Sequence, residues 1–120
     1  MPRRATMNNI ATAVTLRRIR VLNDFFRATF LGGKVVITSG VASLPLDVKA
    51  RAMIQVQSFA DFNADNDPHD EHDFGSFEVA GAKFFWKIDY YDVLCEFGSE
   101  DPADPEKTTR VLTIMLAEEY

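Results

Sequence analysis

With 120 residues, 47% apolar content, ten Phe and a single Cys, the chain has material for one packed core and none for an internal disulfide, which suits a reducing compartment. Its net charge of −5 is unevenly spread: residues 1–52 carry nine Lys or Arg against two acids, residues 53–120 four against sixteen. No apolar run approaches the roughly 20 residues of a membrane span, and the first residues lack a signal peptide's unbroken apolar stretch, so the reading is a cytoplasmic protein of one domain, 9–120, behind a flexible 1–8.

Residues 9–30 read as an amphipathic helix, because Leu16, Ile19, Leu22, Phe26 and Phe30 recur at three- and four-residue steps. Asn8 or Asn9 is placed to cap its start and Gly32-Gly33 to stop it. Arg17, Arg20, Asp24 and Arg27 fall on the other face, with Asp24 spaced to pair Arg20 and Arg27. Residues 34–38 form a short β-branched strand closed by Ser39-Gly40, and Pro45 suits the first turn of a second helix over 45–62, with Val48, Ala52, Val56 and Phe59 on its apolar face.

Periodicity then fails, and 63–73 reads as an exposed acidic loop. Residues 74–79 and 82–91 alternate about the Ala80-Gly81 turn as a hairpin, with Phe84, Trp86, Ile88 and Tyr90 on one face and Lys83, Phe85, Lys87, Asp89 and Tyr91 on the other. Residues 93–97 continue or bend that strand, with Cys95 a buried thiol, and 98–108 is a loop with two prolines. Residues 110–120 fit helix or strand; strand is favoured, since an amphipathic helix would show a polar stripe that VLTIML lacks. The expected fold is α+β: an antiparallel sheet of about four strands with two amphipathic helices packed on one face.

Chemistry concentrates in the acidic loop. Asp61, Asn63, Asp65 and Asp67 match the opening of an EF-hand calcium loop, but Asn66 stands where glycine is needed and His72 where a bidentate Glu is needed. His69, Asp70, His72 and Asp73 offer acid–base groups or ligands for a transition metal, though two histidines three apart do not complete a tetrahedral site. On the hairpin, Lys87, Asp89 and Tyr91 share a face, with Asp92 next to them; a surface ion pair covered by tyrosines is the plain reading. Glu100, Asp101, Asp104 and Glu106 form a second acidic run. There is no nucleophile elbow, P-loop or dinucleotide-binding glycine pattern, and no cofactor is expected.

The strings NDP..EHDFG, FFWKIDYYD, GSEDPADP and TRVLTIMLAEEY, in this order and behind GGKVVIT, resemble a family of small bacterial proteins described only as a domain of unknown function. The matching positions are Asn66, Asp67, Pro68, Glu71, His72, Asp73, Phe74 and Gly75 in the loop, and Trp86, Lys87, Asp89, Tyr90, Tyr91 and Asp92 in the strand, whereas His69 falls in a variable slot. The resemblance implies a bacterial cytosolic setting, often on mobile elements, and brings with it no established activity to carry over.

Three functions follow as expectations. The first is a non-enzymatic interaction protein whose loops dock a basic partner through Asp65, Asp67, Asp70, Glu71, His72, Asp73, Lys87, Asp89, Tyr91, Asp92, Glu100 and Asp101, regulating a mobile element or imitating nucleic-acid phosphate as anti-defence proteins do. The second is a metal-assisted or acid–base enzyme using His72, Asp73, Asp89 and Tyr91. The third is direct nucleic-acid binding through Arg17, Arg18, Arg20 and Arg27.

Overall fold

The computed structural model describes residues 2–120, with side chains from Ile10 onward. In chain order it has α1 (Pro2–Thr29), β1 (Gly33–Ile37), α2 (Ser39–Ala42), α3 (Leu46–Gln57), β2 (Phe74–Val79), β3 (Ala82–Tyr91), β4 (Thr109–Leu116) and a closing 3-10 turn, Ala117–Glu119. Of the segment 1–8 expected to be flexible, Met1 lies outside the described residues and the remainder has helical backbone in α1. That helix is already running at Asn8 and Asn9, so neither caps it. It stops where Phe30 and Gly32 turn left-handed, at φ 60° and 95°.

The four strands lie in the order β1-β4-β3-β2. The β2–β3 hairpin and the β3–β4 pair are antiparallel, but β1 pairs parallel with β4, so the sheet is mixed rather than wholly antiparallel. Of the C-terminal stretch, Thr109–Leu116 is strand, as favoured, and its place between two neighbours pairs both its edges; Arg110, Leu112, Ile114 and Met115 are buried and Val111 and Thr113 half-buried, so VLTIML needs no polar stripe.

Period-two alternation divides β3 as the residues dictate. Phe84, Trp86 and Ile88 are buried and sit opposite Leu116, Ile114 and Leu112 of β4, facing Phe26 of α1 and Val56 of α3. Trp86 is 0% exposed. Burying each such side chain is worth roughly 1.5–3 kcal/mol, so this face fixes the register. The other face places Phe85 and Phe74 against Tyr120, which the 3-10 turn folds back over the sheet.

α3 is shorter than the 45–62 span expected, because the chain leaves it at Ser58 to carry Phe59 and Phe62 against Trp86. The Ser39-Gly40 turn has become α2, held by Glu119, whose carboxylate accepts from Thr38 Oγ1, the Gly40 amide and the Leu116 amide. Those bonds hold the Glu119 carboxyl below its ordinary range, the Thr38 hydroxyl contributing most.

Candidate functional site

Of the two readings of residues 93–97, the chain takes the bend rather than the continued strand. β3 ends at Tyr91, and Asp92 closes a tight turn: its amide donates to Phe97 O at 2.8 Å, its Oδ1 accepts from the Glu96 amide at 2.9 Å, and Tyr91 bridges Gly98. Cys95 takes φ 58° inside this turn and is half-buried beside Lys34, 3.8 Å from its Nζ, rather than a core thiol. Strand pairing would have hidden alternate side chains; the turn instead turns them out. Val93, Leu94 and Phe97 are 59%, 75% and 73% exposed.

Beside them lies a cavity of about 540 Å³ whose lining includes Asp92, Glu100 and Glu106. Its far wall, residues 98–108, is stiffened by its own side chains. Ser99 Oγ binds Thr108, Asp101 Oδ1 accepts from the Ala103 amide, and Asp104 Oδ1 accepts from the Glu106 amide. Asp101 is therefore occupied with shaping the loop, while Glu100 and Glu106 face the opening.

The 61–73 loop is not flung into solvent as expected. Asp61, Asn63, Asp65, Pro68, His69 and Asp70 are exposed, but Asp67 is buried and Glu71, His72 and Asp73 are half-buried against α1. The basic helix and the acidic loop neutralise each other there: Arg20 pairs Asp70, Asp24 Oδ1 binds His72 Nδ1 at 2.8 Å, and Asn23 Nδ2 donates to Glu71 O at 3.0 Å. Arg27, expected on a solvated face, is buried; it pairs Asp24, donates to Phe59 O and lies over the Phe62 and Trp86 rings. With Arg20 and Arg27 thus engaged, Arg17 and Arg18 are the members of the expected basic stripe that stand exposed with no ion pair among the described residues.

The calcium-loop spacing is used differently. Asn63 Oδ1 accepts from the Asp65 and Asn66 amides, and Asp67 Oδ1 accepts from the Glu71 and His72 amides, so two of the four expected ligand groups fold the loop itself. Among the described residues Asp67, Asp70 and His72 come together instead, with His69 and Asp73 outside the group. Burial, then the nearby Glu71 carboxylate, raises the Asp73 carboxyl above its ordinary range.

The acid–base set His72, Asp73, Asp89 and Tyr91 is not brought together. His72 stacks on Phe62, on the helix-covered face with Trp86, whereas Asp89 and Tyr91 alternate onto the opposite face. There Lys87 and Asp89 form a half-exposed pair at 3.0 Å, the hydrogen bond to Asp89 raising the Lys87 ammonium above its ordinary range.

A further polar group carries no signature in the sequence. The β3–β4 register that sets Trp86 opposite Ile114 also sets Tyr90 opposite Arg110. Arg110, buried, donates from Nε to Asn23 Oδ1 at 2.7 Å and from Nη2 to Pro102 O; Asn23 Nδ2 donates to Tyr90 Oη at 2.8 Å, and Tyr90 donates to Glu71 Oε1 at 2.6 Å. Burial lowers the Arg110 guanidinium from its ordinary value and, with the Glu71 bond, raises the Tyr90 phenol far above its own. These four residues fasten α1, both loops and the sheet at one end.

Fold and site together define a small α+β protein with an exposed apolar turn after β3 and a loop, 61–73, docked on its first helix. The chain belongs to the protein family of unknown function DUF3768, whose family model matches residues 37–119. No curated protein and no solved structure matches it. No helix among the described residues is long and apolar enough to cross a membrane.

Proposed function

We propose that the chain acts as a protein-interaction module and that the Asp92–Gly98 turn is its docking surface. The supporting observation is the exposure of Val93, Leu94 and Phe97 on a turn braced by hydrogen bonds. Soluble chains rarely leave neighbouring large apolar groups in water without a partner for them. Asp92, Glu100 and Glu106 line the cavity beside the patch, with Lys107 the one cation among them and Glu96 exposed on the turn, so the partner segment that fits is apolar with a net excess of Lys or Arg at its margins. Buried apolar area supplies affinity, and the rim carboxylates supply orientation and a salt-dependent association rate.

Selection of short displayed peptides on the wild-type chain tests this reading, with counter-selection on Leu94→Asp/Phe97→Asp. Enriched peptides are expected to combine apolar and basic residues, to bind the variant at least tenfold more weakly (about 1.4 kcal/mol) and to weaken with added salt. Unchanged circular dichroism of the variant keeps the comparison to the surface. Peptides indifferent to the double substitution, or no enrichment at all, would overturn the assignment.

A further inference from the structure

His72 is held differently at its two ring nitrogens. Nδ1 lies 2.8 Å from Asp24 Oδ1, a full hydrogen bond in which Nδ1 donates to the carboxylate, and this turns Nε2 to the other side of the ring. What it faces is Asp67 Oδ2 at 3.6 Å and Asp70 Oδ1 at 3.9 Å. These separations are too long for hydrogen bonds.

Each carboxylate is aimed by its other oxygen. Asp67, with a side chain only 3% exposed, gives Oδ1 to the Glu71 and His72 amides; Oδ2 has no hydrogen bond among the described residues and points at His72. Arg20 holds Oδ2 of Asp70, which turns Oδ1 inward. One ligand atom from each of the three residues lies within 4.8 Å of the others. Atoms so spaced surround a point roughly 2.4 Å from each, and zinc–nitrogen and zinc–oxygen bonds of about 2.0–2.2 Å need a closure of only a few tenths of an ångström. A shallow cavity of about 350 Å³, lined by Phe62, Asn63 and Pro68 as well as the three ligand residues, leaves the remaining coordination positions open.

We propose that Asp67, Asp70 and His72 bind one divalent first-row transition metal ion, with Asp24 as the positioning residue for His72. One imidazole and two carboxylates suit zinc, cobalt or manganese better than calcium or magnesium, which prefer all-oxygen shells. The ion would bond Nε2 to both carboxylates and tie the 61–73 loop more firmly to α1.

Titration of the metal-free chain with Zn²⁺, followed by calorimetry and by the nitrogen chemical shifts of His72, tests the proposal, with Co²⁺ absorption as a second probe. Expected are one-to-one uptake, a large shift confined to Nε2 of His72, loss of uptake in His72→Ala and Asp70→Asn, and about 10–100-fold weaker binding in Asp24→Asn. Asp89→Asn, on the other sheet face, leaves binding unchanged. Circular dichroism of each variant separates a lost ligand from a lost fold, and Asp70→Asn alters an exposed residue if His72→Ala proves unstable. Uptake that survives both substitutions, uptake without a His72 shift, or none at all would overturn the proposal. These outcomes are independent of peptide binding at the Asp92–Gly98 turn.

Discussion

Asn23→Ala removes the hub of the buried network. Asn23 is 0% exposed and makes three side-chain bonds, accepting from the Arg110 guanidinium and donating to Glu71 O and Tyr90 Oη. A hydrogen bond to a charged group contributes roughly 1.5–3 kcal/mol and each neutral one about 1. Alanine's better helix propensity offsets roughly 0.5 kcal/mol. The expected net loss is therefore about 4 kcal/mol, with a fall in melting temperature on the order of 15 °C for a domain this size. Chemical denaturation at neutral pH measures it, and a double-mutant cycle with Tyr90→Phe should show coupling of about 1 kcal/mol. A loss below about 1 kcal/mol would mean that solvent replaces these partners freely, and the view of Asn23 as a structural hub would fall.

Two further outcomes are expected. In Gly75→Ala the added Cβ would stand 2.5 Å from Trp86 Nε1 and 2.6 Å from the Phe59 ring, so stability should drop by about 1–3 kcal/mol with a shifted tryptophan fluorescence; an unchanged denaturation midpoint would contradict the packing described. Tyr90, held neutral first by burial and then by its bond to Glu71, has a folded pKa raised above its ordinary value of 10.0, so its contribution is complete below that pH and declines as pH rises beyond it. Stability measured from neutral into alkaline pH should fall more steeply in wild type than in Tyr90→Phe, and parallel slopes would refute the assignment.

Local pattern carried much of this fold. The alternation through Phe84, Trp86 and Ile88 marked both the hairpin and its buried face, and the stripe through Ile19 and Phe26 marked the face by which α1 packs. What it did not carry was pairing at a distance. The parallel β1–β4 contact joins Gly33 to Arg110, and Arg110 reaches Asn23 across 87 positions; nothing near either residue announces its partner. Arg27 looked solvated because its spacing to Asp24 is that of any surface pair, yet Phe59, Phe62 and Trp86 close over it. At Val93 to Phe97 an apolar run suggested a strand, but the Asp92 side chain captures the Glu96 amide and bends the chain first. The signal for that turn was one aspartate, which composition alone does not distinguish from its neighbours.

The position of β4 has a consequence for how the chain comes into being. Thr109–Leu116 lies between β1 and β3 although it follows both in the chain. Until it emerges, β1 has no partner strand and one edge of β3 stays unpaired, so the sheet cannot close strand by strand from the N-terminus and waits for a late, long-range pairing. A nascent chain of this kind spends its synthesis with adhesive edges open, and its yield in the cell should depend on chaperones more than its modest size suggests.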